Sequence, residues 1–129
     1  MPGQQAHVGQ AEHNLALYDQ LDRKRFSDWA ATVLFYSALH YVDAFIYNQL
    51  SLNPSNHANR DQYLNKLAVL KRIRSSYRTL KDNCHAARYT PPTRYSEADL
   101  ADMRNIELAA IISALKKYVD PPPAASASS

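Results

Sequence analysis

This chain has very little cysteine and glycine. There is one cysteine, Cys84, so no internal disulfide can form and no C-x-x-C zinc or redox motif is present. Only two glycines occur in 129 residues. Tight hairpins, dinucleotide-binding turns and P-loops all draw on glycine, so their near absence argues against those sites and for an all-α fold. Phenylalanine is also sparse, at 3 residues, whereas tyrosine reaches 9. Tyrosine combines an apolar body with a polar tip and suits half-wet interfaces. Neither charge sign dominates: the net charge is +3 and the pI is near 9.0, which permits phosphate or nucleic-acid binding without requiring it. The opening MPGQQAHVGQ has no basic segment followed by an apolar one, so no signal peptide is expected and the cytoplasm is the expected location.

What is present is one long apolar stretch, SDWAATVLFYSALHYVDAFIYNQL at 27–50. Apolar residues surround almost the whole of a helix drawn through it, the pattern of a central bundle helix. Ser27 is the expected N-cap, with Asp28 in the first turn. Ser37, His40 and Asp43 interrupt the run and argue against a membrane span, which needs about 20 mostly apolar residues. Tyr36, His40, Asp43 and Tyr47, spaced i, i+4, i+7 and i+11, fall within an arc of about 60° on this helix. A buried stripe of this kind needs partners, since each unpaired polar group costs about 1–3 kcal/mol.

The rest of the chain reads as helices around that one. Residues 1–9 are expected as a loose lead-in, 10–119 as the bundle, and 120–129 (DPPPAASASS) as a disordered tail. The first helix spans 10–22, with the basic Arg23, Lys24 and Arg25 at its C-terminal end. Ser55 or Asn56 starts a third helix from about 57, and helical pattern runs on to 89 as one helix or two. TPPTR at 90–94 breaks it. Ser96 caps a last helix over 97–119, with Leu100, Met103, Ile106, Ala110, Ile111 and Leu115 on its inner side. Trp29 is expected as a core anchor and Cys84 as core. The predicted fold is an all-α, four- to five-helix up-and-down bundle.

Two constellations could carry chemistry. Arg74, Tyr77, Arg78, Lys81, His85 and Arg88 share an arc of about 100° on the helix through 73–89, a basic ridge suited to phosphates or simply to solvent. His40, His57 and Arg60, with Arg88, Tyr36 and Asp43, form a second set. If they converge they make a partly buried phosphate or nucleotide pocket. The alternative is a structural network in which His40 bonds Asp43 or a tyrosine and Arg60 pairs with Asp61 or Asp43. Zinc held by His40, His57, His85 and Asp43 is disfavoured because no two of those histidines have tight ligand spacing. No cofactor or metal is expected.

Within the ridge, six residues separate Arg78 from His85. That spacing resembles the Arg-x4–6-His signature of HEPN-domain ribonucleases. LFYSALHYVDAF at 34–45, SNHANR at 55–60 and YRTLKDNCHAARY at 77–89 resemble the ordered motif blocks of a small bacterial subgroup of that family. The resemblance covers about residues 10–119. It implies a HEPN-like bundle and metal-independent RNA cleavage, with Arg78 and His85 catalytic and Tyr77, Lys81 and Arg88 assisting. It further implies a homodimer acting as a toxin or defence effector beside a neutralising partner such as a nucleotidyltransferase-type antitoxin. Thr79 departs from the polar Asn, Asp or His that follows the Arg in active members. Binding of RNA or a nucleotide without cleavage is the alternative the resemblance leaves open. Nothing in the sequence points to DNA specificity or to a membrane.

Overall fold

The structure, a computed structural model, describes residues 3–119. The expected tail at 120–129 lies outside the described residues. Helix α1 spans Gln4–Gln20, α2 Ser27–Leu50, α3 His57–Lys66 and α4 Ala68–Tyr89. The last helix has three segments: α5 (Glu97–Asp102), a π-helical stretch (Met103–Leu108) and α6 (Ala109–Val119). Among the described residues there is no strand.

Contacts between side chains fix the directions. Ser37 donates to the Ala11 carbonyl at 2.9 Å and Gln4 accepts from Asn48, so α1 and α2 are antiparallel. Trp29, near the start of α2, borders Ala87 and Pro91 at the end of α4, whereas Phe35 further along α2 packs on the earlier Tyr77, which reverses the chain again. Tyr95 bonds Ser27 at one end and Tyr118 packs on Phe45 at the other, so the last helix runs parallel to α2. The result is the expected up-and-down bundle, with the short α3 inserted between α2 and α4. Helix α2 touches α1, α4, α5 and α6 and is the centre of the core. It is long and apolar enough to cross a bilayer, but 78% of its most apolar window is already buried by the other helices.

Several local expectations change. Most of the 1–9 lead-in is helical, because α1 begins at Gln4 and buries His7 and Val8. Ser27 is the first helical residue and caps nothing; its hydroxyl accepts from the Tyr95 backbone N–H at 3.1 Å. Asn56 does cap α3, accepting from the Asn59 backbone at 2.8 Å, and Ser96 and Asp99 form a full capping box. Arg23 lies past α1 and donates to the carbonyls of Tyr18 and Asp19, where a cation suits the helix end. Leu67, with extended backbone, divides α3 from α4. Trp29 is 56% exposed and is no core anchor, whereas Cys84 is buried as expected. Ile106 and Ala110 face outward, because the π-helical stretch shifts the register of the helix.

Candidate functional site

The polar stripe of α2 finds a different partner at each level. Tyr36 accepts a hydrogen bond from Arg88 Nη1 at 2.9 Å. His40 Nδ1 meets Nδ1 of His7, on α1, at 3.0 Å. Asp43 is held by Arg60 through both oxygens, from Nε at 2.6 Å and from Nη2 at 3.0 Å. Tyr47 lies beside Gly3.

Arg60 and Asp43 are both buried, at 7% and 4% exposure. Their pairing is one of the structural contacts weighed for them from sequence, and it takes Arg60 out of reach of a ligand. The third guanidinium nitrogen of Arg60 lies 3.2 Å from His57 Nδ1, so the pair braces His57 from behind. Burial, then the neighbouring Arg60 and Lys81 cations, pushes the His57 imidazole below its ordinary range and keeps it neutral near pH 7. Burial, followed by His7, does the same to His40.

Tyr77 does not belong to the basic ridge. It is 2% exposed, packs edge-on against Phe35 at 5.4 Å between centroids, and turns its hydroxyl toward Arg60 without a well-formed hydrogen bond. No base can stack on it. The wide arc assigned to the ridge reached round to the core side of α4.

Arg78 and His85 are both exposed but do not share a groove. Arg78 borders a depression of about 110 Å³ whose lining mixes Arg74 and Lys81 with Asp61 and Asp82. His85 borders a separate groove of about 340 Å³ between α2, the start of α3 and the end of α4. Two helical turns put the two residues on one side of α4, but α3 packs against that side and divides it. Lys81 stands between, lining both, and pairs with Asp61 at 2.9 Å.

The larger groove gathers His57, Lys81, His85 and Arg88, with no carboxylate in its lining. Its apolar surface is Phe35, Cys84, the Tyr36 ring and Tyr89. Tyr89, 62% exposed, has its ring 4.9 Å from that of His85 and 5.2 Å below the Arg88 guanidinium. The groove therefore draws on both sequence constellations: His85, Lys81 and Arg88 from the ridge, and His57 and Tyr36 from the second set. His40, Asp43 and Arg60 stay behind it. Tyr89, absent from the residues expected from sequence, could have been found there as an aromatic one turn beyond His85 beside an arginine. Comparison of the chain with family models, with curated proteins and with solved structures finds no match.

Proposed function

We propose that the chain binds single-stranded RNA or a nucleotide in the His57/Lys81/His85/Arg88 groove, as a HEPN-like module. One observation carries the reading: the groove collects two cations, two imidazoles and an exposed aromatic ring with no carboxylate among them, whereas the depression beside Arg78 contains two. Arg88 can fork onto a phosphate, and Tyr89 offers a face on which a base stacks for about 1–3 kcal/mol. The volume suits one nucleotide unit rather than a duplex. Arg78, with Arg74, becomes an outer contact for a strand passing over Lys81. The resemblance adds a homodimer, a cytoplasmic location and a neutralising nucleotidyltransferase-type partner, which belong to the same proposal.

The test is fluorescence anisotropy with a labelled single-stranded RNA. Affinity should fall at least about tenfold in Arg88→Ala and in Tyr89→Ala, and should weaken steeply with salt. Equal affinity in wild type and both variants overturns the reading.

Cleavage is the second reading, favoured by the two imidazoles in one groove. His57 would take the 2′-hydroxyl proton as the 2′-oxygen attacks phosphorus, and His85 would give a proton to the departing 5′-oxygen. The products are a 2′,3′-cyclic phosphate and a 5′-hydroxyl. RNA digestion in EDTA checks it: His85→Ala and His57→Ala should each lose at least about a hundredfold in rate, and cutting by either at the wild-type rate removes that residue from the reaction.

A further inference from the structure

We propose that His7, His40 and Asp43 bind a divalent transition-metal ion of the nickel, copper and zinc class where α1 crosses the second half of α2. The site does not rest on the RNA reading. Each residue offers one ligand atom, and these atoms lie within 4.8 Å of one another. They come from two helices, so periodicity along one helix could not reveal them.

The geometry of the two imidazoles is specific. Their Nδ1 atoms are 3.0 Å apart. With metal–nitrogen bonds of about 2.0–2.1 Å, that separation subtends roughly 91–97°, close to the angle between neighbouring ligands of a square-planar or octahedral ion. Opening the pair to about 3.3 Å gives the tetrahedral angle of zinc.

The second nitrogen of His7 is also arranged as in metal sites. His7 Nε2 donates to Asn53 Oδ1 at 2.7 Å, which leaves the Nδ1 lone pair facing His40. Histidine ligands commonly anchor their other nitrogen on a carbonyl or carboxylate in this manner. Without an ion, neutral His40 donates its Nδ1 proton to His7. With one, His40 carries that proton on Nε2, and both Nδ1 lone pairs bind.

Asp43 supplies the third ligand. Its two oxygens each accept one bond from Arg60, and each retains a second lone pair. Because Arg60 offsets the Asp43 charge, the imidazoles dominate, which favours nitrogen-seeking ions over Mg²⁺ or Ca²⁺. His7 and Asp43 are buried, so a bound ion would pin α1 to α2 from inside.

The experiment uses the untagged full chain with NiCl2, ZnCl2 and MgCl2, read by titration calorimetry and thermal unfolding. One Ni²⁺ or Zn²⁺ per chain should bind and raise the unfolding temperature, and Mg²⁺ should do neither. His7→Gln and His40→Gln should each weaken binding at least about tenfold, as should Asn53→Ala. His13→Gln and His85→Gln, at exposed positions, should leave it unchanged. Electron paramagnetic resonance of the Cu²⁺ form should show coupling to two imidazole nitrogens, a readout that does not depend on a variant folding. Absence of one-to-one binding by Ni²⁺ and Zn²⁺, binding that survives in His7→Gln, or a Cu²⁺ spectrum without that coupling overturns the proposal.

Discussion

At the scale of single residues, Arg60 and Asp43 form a doubly hydrogen-bonded ion pair in the interior. Both groups have left water, and each satisfies the other through two parallel bonds. Removing one partner strands a buried charge, a loss of about 3–5 kcal/mol. Arg60→Ala should therefore lower stability to urea by that amount, whereas loss of the exposed Arg23–Glu97 bridge in Glu97→Ala should cost less than about 1 kcal/mol. The histidines add a pH dependence with a definite sign. The fold holds His40 and His57 below their ordinary values, so the unfolded chain takes up protons first as pH falls. Stability is full above about pH 6.5 and declines as pH drops toward the depressed folded values. Urea midpoints should fall between about pH 7 and pH 5, and His40→Gln should flatten part of that fall. A profile unchanged by His40→Gln would remove His40 as a source.

At the scale of elements, the last helix carries the clearest departure from ideal periodicity. Its buried residues are Leu100, Met103, Leu108, Ile111, Leu115 and Val119. The steps are three or four except between Met103 and Leu108, where the step is five. A π-helical turn widens the helix there and shifts the register of everything after it. An unbroken α-helix would bring Ile106 inward; the π turn leaves it 57% exposed and seats Leu108 instead. Leu108→Ala should cost about 2–5 kcal/mol, because it opens a cavity in packed core. Ile106→Ala should stay within about 0.5 kcal/mol. Thermal or urea denaturation of the two variants checks the register directly, and the reverse order of costs would place the helix in the α register.

At the scale of the whole molecule, the bundle leaves its only tryptophan outside. Trp29 borders a surface depression with Asp28, Thr32, Arg88 and Pro91, so one edge of its ring is covered and the rest is wet. Its fluorescence should be quenched by acrylamide in the native protein and should change little in wavelength on unfolding. A large red shift on unfolding would mean that something covers the ring in solution. Circular dichroism should report the unfolding that tryptophan emission misses.

The sequence by itself determined the all-α class, the central place of 27–50, a helix start at Ser55 or Asn56, the cap at Ser96, and the break at 90–94. These depend on local properties: apolar periodicity, side chains that bond nearby backbone, and the geometry of proline. It also marked His40, Asp43 and Tyr36 as needing partners, since a helix buried on all sides leaves polar groups no water. Only the tertiary structure decided who those partners are. His7 reaches His40 because α1 starts earlier than its pattern suggests, and Arg60 closes on Asp43 because α3, packed along α4, aims that side chain at α2. The same insertion of α3 separates Arg78 from His85 and brings His57 to His85 instead. Helical spacing ranks residues around one axis, but grooves form between axes, and where a second helix lies is set by how the whole core packs.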